Sequence, residues 1–280
     1  MHLIKRLLRK AATTPIVWPI LKNSLVRVAN VLQQARREFE DHETRARLEK
    51  DARMISPDLT VLRGPFSGLK YPRVLSYGSA LIPKLLGCYE MELHPLVEVI
   101  CTQRYETIHN IGCAEGYYAA GLALRMPDAR IIAYDTDEGA RRACQEMAEL
   151  NRLADRVAVK GGITQNDLLK MTGGCLILCD CEGFEAILLN KAVARHHQQS
   201  AFLIEIHDNV DPGISETIRR AFEGTHEIIQ TTSIDDLKKT SLYDFPELHA
   251  FSLQERRWLV SEHRPTLMDW FWCVPQPAKA

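Results

Sequence analysis

Residues 107–118 read TIHNIGCAEGYY and carry the most informative pattern in the chain. The first five of these residues form a short apolar segment typical of a buried strand, and a helical pattern begins at Tyr117. Between these segments Gly112 and Gly116 are four residues apart, so the backbone can turn tightly and approach a ligand closely. The N-terminus of the following helix offers unpaired N–H groups. The stretch therefore predicts a strand, a ligand-binding turn and a helix.

Strands and helices alternate along the chain from this turn onward. The predicted strands are Thr107–Ile111, Ile131–Tyr134, Val157–Lys160, Cys175–Cys179, Ala201–Ile206, Glu227–Thr231 and Asp269–Val274. The predicted helices are Tyr117–Met126, Glu138–Leu150, Phe184–Ala194 and Gly213–Phe222, the last capped by Asp211. Apolar strands that alternate with helices imply an open α/β fold, a parallel sheet with helices on both faces. Its ligand is expected at the carboxyl ends of the strands.

The composition of the turn indicates the kind of ligand. Ala114 takes the place of the middle glycine of the dinucleotide fingerprint G-x-G-x-x-G, and Glu115 follows it. An acid here would repel a pyrophosphate but would accept hydrogen bonds from an ammonium group. The turn therefore favours a cationic ligand without phosphates. An oxidoreductase that uses NAD remains the less favoured alternative.

The second strand ends in an acid. Asp135 lies 23 residues after Gly112 (135 − 112), and an acid at that position can accept hydrogen bonds from both hydroxyls of a ribose. The alternative role is to cap the next helix, which suits Asp137 better. We therefore expect Asp135 to contact an adenosine.

Three stretches of the chain resemble the class I S-adenosylmethionine-dependent methyltransferases and, within them, the FkbM-type family. They are residues 111–118, residues 180–185 (DCEGFE) and residues 203–207 (LIEIH). The resemblance implies a Rossmann-like, doubly wound sheet of seven strands whose last strand is antiparallel. It also implies methyl transfer from S-adenosyl-L-methionine, with a hydroxyl oxygen of a sugar or small natural product as acceptor. One departure is Asn110, where family members often have an acid, so a charged contribution to the cofactor site is lost.

The resemblance also implies where the cofactor binds. It lies over the glycine turn, with Asp135 on its ribose and the residues after the third strand near its adenine. The expected contact residues are Asn110, Gly112, Cys113, Ala114, Gly116, Tyr117, Asp135, Thr136, Gly162, Ile163 and Asp180. Related methyltransferases often have a further acid upstream, where this chain has Glu90; helix capping is the alternative role for that residue.

The catalytic residues are expected at the ends of the fourth and fifth strands. Methyl transfer is an in-line displacement, so the protein mainly positions the acceptor and removes its proton. His207, whose reference pKa of about 6.5 suits a base, forms the predicted catalytic set with Asp208 and Glu182. A purely structural histidine is one alternative. Another is a divalent cation held by Asp180 and Asp208, which would acidify an acceptor hydroxyl.

A long insertion separates the last two strands, at about residues 232–268. Ser252 and Glu255 form a capping box that predicts a helix through Val260. An insertion beside the strand ends is a common place for an acceptor pocket. Its aromatic residues either line that pocket or pack against the sheet: Tyr243, Phe245, Phe251 and Trp258.

The N-terminal part of the chain differs in charge from the rest. Residues 1–53 contain 12 Lys and Arg against 6 Asp and Glu, although the net charge of the chain is −1. We expect residues 1–60 to form a basic helical extension, residues 61–104 a hairpin and a helix, and residues 105–280 the methyltransferase domain. Residues 1–10 have the pattern of a basic amphipathic helix. Docking on the protein's own core or on a partner is favoured, and binding to an anionic membrane surface and a mitochondrial transit peptide are the alternatives.

Overall composition bears on partners and compartment. The near-neutral net charge gives no overall attraction for nucleic acid, so the expected partner is a small-molecule acceptor. None of the eight cysteines belongs to a C-x-x-C pair, and buried reduced thiols suit the cytoplasm. The expected location is therefore cytoplasmic, with membrane association through residues 1–10 as an addition. A catalytically silent member that binds the cofactor and serves as an interaction module is the remaining alternative.

Overall fold

A computed structural model of the chain describes residues 43–171 and 173–276. The chain divides into two compact units, Met1–Lys50 and Asp51–Ala280. The amphipathic segment and the membrane contact predicted for residues 1–10 lie outside the described residues. Within the described part, no helix combines the length and the apolar character that a membrane span requires. A first helix, α1, covers residues 43–55.

One seven-stranded sheet organises the second unit. Its strands are β1 (Thr107–Ile111), β2 (Arg130–Tyr134), β3 (Val157–Lys160), β4 (Leu176–Cys179), β5 (Ala201–Ile206), β6 (His226–Thr232) and β7 (Asp269–Pro275). The spatial order is β3-β2-β1-β4-β5-β7-β6, in which β1 to β5 are parallel and β7 runs antiparallel to both of its neighbours. The predicted sheet, including its antiparallel last strand, is confirmed.

Helices follow most of the strands and supply the layers on the sheet. They are α2 (Leu81–Leu86), α3 (His94–Thr102), α4 (Tyr117–Arg125), α5 (Glu138–Leu150), α6 (Gln165–Leu168), α7 (Glu185–Leu188), α8 (Lys191–His196), α9 (Ile214–Phe222), α10 (Asp236–Leu242) and α11 (Leu253–Val260). Short 3₁₀ turns cover Met91–Leu93 and Pro246–Leu248. The capping box of Ser252 and Glu255 begins α11 as predicted, because it satisfies helix N–H groups that have no partner within the helix.

Two local predictions are wrong in detail. The single helix expected over residues 184–194 is broken into α7 and α8, because the Asn190 side chain accepts hydrogen bonds from the N–H groups of Ala192 and Val193 and so begins a new helix. The cap expected at Asp211 is absent, since Gly213 is the residue before α9. The Asp208 carboxylate instead accepts a hydrogen bond from Ser215 N at 2.9 Å, within the first turn of that helix.

The register of the parallel strands brings their ends to one edge. Ile111 at the end of β1 is paired with Tyr134 on one side and with Cys179 on the other, and Cys179 is paired with Ile204 of β5. The residues that follow these strands therefore emerge together. Parallel sheets bind their ligands at this carboxyl edge.

Candidate active site

A cavity of about 640 Å³ lies at the carboxyl edge of the sheet. We divide its wall into a turn end and a histidine end. The turn end comprises Asn110, Gly112–Ala114, Asp135 and Thr136. The histidine end comprises Asp180, Glu182, Glu205, His207 and Arg264. The volume is in the range typical of small-molecule sites.

The turn end is shaped by glycine backbone. Gly112 has a φ of 76°, a left-handed conformation that glycine adopts readily. A side chain there is also excluded by space, because a Cβ would lie 1.5 Å from the carbonyl oxygen of Asp180. The turn after β1 and the chain after β4 are thus in direct contact, which gives a flat, exposed backbone surface to the cavity.

Asp135 is fixed to this turn. Its Oδ2 accepts a hydrogen bond from Ala114 N, and its Oδ1 accepts one from Asp137 N, each at 2.9 Å. Each carboxylate oxygen keeps further lone pairs for a ligand hydroxyl. Asp137 caps α5 by accepting a hydrogen bond from Ala140 N, the role expected of Asp137 rather than of Asp135.

Asn110 brings an unpaired polar atom to the turn end. The residue is only 1% exposed, it lines the cavity, and its Oδ1 has no hydrogen-bond partner within the described structure. A buried acceptor without a partner costs free energy. A ligand that donates a hydrogen bond from the cavity would satisfy it.

Glu115 does not face the cavity, in contrast to the expectation that it would meet the ligand. Its carboxylate is buried and lies 2.6 Å from Lys84 Nζ. Burial raises the pKa of Glu115, but the charge and hydrogen bond of Lys84 outweigh burial and hold this pKa below its usual value. The ammonium partner of this acid is therefore a side chain of the protein itself.

The Lys84–Glu115 pair holds a segment over the cavity. Glu115 also accepts hydrogen bonds from Ser76 Oγ and from Tyr77 N, and Lys84 donates one to Ser79 Oγ at 2.7 Å. Residues 77–79 line the cavity. A buried ion pair whose hydrogen bonds are satisfied in this way orients the chain, so the upstream segment is a part of the site.

Side chains from distant parts of the chain meet at the histidine end. The Arg264 guanidinium contacts Glu90, which precedes α3, and Glu205, which lies in β5. Its Nε also donates to Glu262 Oε2 at 2.9 Å. Glu262 in turn accepts a hydrogen bond from Glu90 N. Arg264 therefore ties the insertion to β5 and to the upstream segment.

Carboxylates outnumber cations at the histidine end, and the pKa values of two of these carboxyl groups are raised. Burial raises the pKa of Glu90 to about 7, with Glu205 and Glu262 adding to the rise and Arg264 opposing it. Burial, Glu205 and Glu90 raise the pKa of Asp180 well above its ordinary value. Asp180 Oδ1 is buried without a hydrogen-bond partner in the described structure. Glu90 and Asp180 therefore hold their protons to higher pH than separate carboxylates would.

His207 follows β5 and lies among these carboxylates. Its Nδ1 is 2.8 Å from Glu185 Oε1, whereas its Nε2 is 3.6 Å from Asp180 Oδ1 and 3.5 Å from Glu182 Oε2. Burial lowers the pKa of His207, but the hydrogen bond and charge of Glu185, with Glu205 and Glu182, raise it above its usual value. His207 can therefore exchange a proton through Nε2 at the cavity wall.

The structure places Asp208 apart from the other predicted catalytic residues. His207 and Glu182 line the cavity, but Asp208 does not, because its carboxylate is engaged at the first turn of α9. The alternative of a cation between Asp180 and Asp208 does not fit this placement either.

Most of the expected cofactor-binding residues line one cavity. Among the eleven, Gly116 is the exception: a Cβ there would lie 2.9 Å from Cys144 Sγ of α5, so this glycine allows close packing of α4 on α5. The four aromatic residues of the insertion also lie outside the lining. The insertion contributes the segment after α11 instead, in Glu262–Pro265 and Met268.

Several residues that line the cavity were not predicted from the sequence. The cavity is also lined by Tyr77, Gly78, Ser79, Lys84, Tyr89, Tyr118, Tyr134, Asp137, Glu205, Asn209, Glu262, His263 and Arg264. Glu205 carried a usable signal, because it is an acid within an otherwise apolar buried strand and a buried charge needs a partner. Arg264 carried none, since two of its three carboxylate partners, Glu90 and Glu205, are remote in sequence.

Comparison with known proteins gives fold-level likenesses only. No family model matches the chain, and neither does any curated protein. A structure described as "delta-N METTL16 MTase domain" is 13% identical, with a TM-score of 0.48 over 80% of this chain and 96% of that one. The O-methyltransferase TomG from Streptomyces achromogenes, in complex with SAM, is 12% identical, with a TM-score of 0.42 over 68% and 81%. An O-methyltransferase from Bacillus cereus in complex with SAH is 15% identical, with a TM-score of 0.42 over 64% and 77%.

Proposed function

We propose that this protein is an S-adenosylmethionine-dependent methyltransferase of the FkbM type that methylates a hydroxyl oxygen of a sugar or small natural product. One observation carries the proposal: a single cavity joins the glycine turn and Asp135 at one end to His207 at the other. A methyltransferase needs these two functions side by side, a nucleoside site and a site that removes the acceptor proton.

The turn end fits the cofactor. S-adenosylmethionine presents a sulfonium, an ammonium and ribose hydroxyls, and it has no phosphate. Asp135 would accept from the ribose hydroxyls, and the unpaired Oδ1 of Asn110 offers an acceptor for the ammonium group. Asp135 and Asp137 line the same wall, and carboxylates attract a cation. Ala114 stands where the dinucleotide fingerprint has its middle glycine, which disfavours a nicotinamide dinucleotide.

The histidine end supplies the acceptor chemistry. When bound, the cofactor provides an electrophilic methyl group. His207 Nε2 takes the proton of the acceptor hydroxyl as the oxygen forms its bond to the methyl carbon and the carbon–sulfur bond breaks. Glu182, which is 74% exposed and 3.5 Å from that nitrogen, lies where it would contact the acceptor. Hydroxyl oxygen as the acceptor atom is supported by the resemblance of residues 180–185 and 203–207 to the FkbM-type family.

Binding and transfer experiments test the two halves of the proposal. Calorimetry should show that S-adenosylhomocysteine binds, whereas NADH should not bind at the same concentration. Tritiated S-adenosylmethionine and a cell extract should then yield label in the small-molecule fraction, and His207→Ala should abolish most of it. Binding of NADH without S-adenosylhomocysteine would overturn the proposal. Binding without transfer to any fraction would indicate a cofactor-binding interaction module instead.

Glu247→Gln is a matched control for these experiments. Glu247 pairs with Arg63 at 2.7 Å, and neither residue lines the cavity. This variant removes one carboxylate of an ion pair and should retain wild-type binding and transfer.

A further inference from the structure

The environment of Glu185 sets it apart from the other carboxylates near His207. Glu185 begins α7, its side chain is fully buried, and it does not line the cavity. Its Oε1 accepts hydrogen bonds from Cys181 N at 3.1 Å and Gly183 N at 3.3 Å, and it lies 2.8 Å from His207 Nδ1. One oxygen atom thus ties the turn after β4 to the end of β5.

We propose that Glu185 is the positioning residue of the base: its carboxylate holds the proton on His207 Nδ1 and turns Nε2 toward the acceptor. This inference rests on the proposed methyltransferase function. Two backbone N–H groups hold the carboxylate in place, so the imidazole has little freedom to rotate. A base whose orientation is fixed before the acceptor arrives reacts with less reorganisation.

The ionisation of Glu185 also supports its assignment as the positioning residue. Burial raises the pKa of Glu185, but the hydrogen bond and charge of His207 and the bonded N–H groups outweigh burial and lower it below its usual value. Glu185 is therefore ionised when His207 takes up a proton, and it stabilises the resulting imidazolium. The other groups that face His207 are Asp180 and Glu182 on the Nε2 side and Glu205 on β5.

The remaining carboxylates do not hold His207 in this way. Asp180 and Glu182 lie at 3.6 Å and 3.5 Å from Nε2, beyond good hydrogen-bond distance, and Glu182 is largely exposed. Glu205 is engaged by Arg264. Only Glu185, among the described residues, is a buried carboxylate within hydrogen-bond distance of the His207 ring. Its removal should therefore affect the base in a way that the others would not.

An NMR titration tests the pairing without the reaction. Histidine ring resonances are followed against pH in the wild type and in Glu185→Gln, and the His207 signal is the one that His207→Gln lacks. The amide keeps the shape of the carboxylate but removes its charge, so the pKa of His207 should fall by about one unit or more, the usual effect of losing an opposite charge at this distance. Glu247→Gln should leave it unchanged. An unshifted His207 titration in Glu185→Gln would overturn the proposal.

The pH dependence of transfer tests the positioning role. Transfer should rise with pH as His207 loses its proton, and in Glu185→Gln this rise should move to lower pH with a plateau about 10²-fold lower, within the contribution of a general base. Glu185→Asp, which keeps the charge, should retain the wild-type midpoint with an intermediate plateau. A structural role alone would lower the amount of folded protein, measured by S-adenosylhomocysteine binding, and would leave the midpoint in place; that result contradicts the proposal.

The methyltransferase function and the positioning role of Glu185 can fail independently, and the experiments separate the two outcomes. If the NMR shift is found but no extract fraction receives label from the wild type, the proposed function fails and Glu185 is a partner of His207 without a base to position. A metal ion is the other competitor, because ligand atoms of Asp180, Glu185 and His207 lie within 4.8 Å of one another. If Mg²⁺ shifts the wild-type His207 resonances and EDTA abolishes transfer, the positioning role is wrong.

Discussion

The turn end and the histidine end of the cavity are built in different ways. The turn end consists of backbone and short side chains from residues 110–114 and 135–136, and a hydrogen bond from Ala114 N to Asp135 Oδ2 joins these two segments. The histidine end consists of long charged side chains from residues 180–207 and 262–264, and Arg264 bonds to Glu90, more than 170 residues away. The turn end is therefore assembled from two neighbouring strands, whereas the histidine end draws on segments that are far apart in the sequence.

The charges of the two ends also differ. Beside the turn end, Lys84 and Glu115 form a one-to-one buried pair. At the histidine end the Arg264 guanidinium serves Glu90, Glu205 and Glu262 together, and the buried Lys239, 2.5 Å from Glu262, is a second cation. A balanced ion pair such as Lys84–Glu115 holds the chain in place. Where buried carboxylates outnumber cations, some carboxyl groups gain or lose protons as the pH changes. The comparison predicts that the histidine end is the part of the site sensitive to pH.

Removal of the His207 side chain, the proposed reactive group of the histidine end, should have the largest effect. His207→Ala should lower kcat by about 10²–10⁴, the usual share of a general base. Affinity for S-adenosylhomocysteine should stay close to wild type, because the turn end is untouched. Transfer kinetics and calorimetry on the same preparation measure both. An equal loss of affinity and kcat would mean that the two ends are not separate.

Arg264→Met should give the next largest effect. Removal of one partner of a buried ion pair costs about 3–5 kcal/mol because it leaves charge uncompensated. Urea unfolding at pH 7 should show this loss, and at pH 5 the loss should be smaller. The sign follows from Glu90, whose pKa of about 7 in the folded protein is held down by the charge of Arg264. In Arg264→Met this pKa rises further, so the folded variant binds a proton more readily than the folded wild type as pH falls from 7 to 5, and it regains part of the lost stability.

Arg220→Met is the control for that experiment. Arg220 pairs with Glu216 on the exposed face of α9, and both side chains are more than half exposed. Exposed pairs of this kind contribute about 0–1 kcal/mol. If this variant loses as much stability as Arg264→Met, the cluster at the histidine end has no special energetic role.

Asp135→Ala tests the turn end. Loss of hydrogen bonds from the ribose hydroxyls to a charged group should weaken S-adenosylhomocysteine binding by about 1.5–3 kcal/mol. At saturating cofactor, kcat should change far less than in His207→Ala. Asp167→Ala is a suitable reference because Asp167 caps α6 and lies outside the cavity lining. Unchanged affinity in Asp135→Ala would remove Asp135 from the cofactor site.

The smallest effect concerns Asn110. Hydrogen bonds to charged groups contribute about 1 kcal/mol more than those between neutral groups. Asn110→Asp should therefore bind S-adenosylmethionine about fivefold more tightly than the wild type, and Asn110→Ala should bind it more weakly. Calorimetry above pH 7 keeps the new carboxyl ionised. If both variants bind like the wild type, the Asn110 side chain does not contact the cofactor.

The turn end and the histidine end also differ in how far they could be predicted from the sequence. The turn after β1 and the cap at Asp137 were predicted because each depends on neighbours within a few residues. The position of Asp135 on the cavity wall was predicted because the carboxyl ends of parallel strands meet at one edge. Glu115 was predicted to face the ligand because its ion-pair partner could not be recognised from the sequence. That partner is Lys84, 31 residues away, and Glu115 is buried beside it, outside the cavity lining. The helix break at Asn190 was missed although the capping residue is visible in the sequence, since apolar periodicity continues across it.

The residue pattern alone was enough to predict the order of strands and helices, the parallel part of the sheet and the glycine turn. Strand apolarity, glycine conformation and caps are local properties, and the ends of parallel strands must meet at one edge. Three contacts follow only from the assembled fold: the bond of Asp208 to the first turn of α9, the contact of Glu185 with His207, and the pairing of Arg264 with three carboxylates. Those outcomes depend on which charged side chains are buried together. A buried charge is stable only beside the partner that the whole fold brings to it.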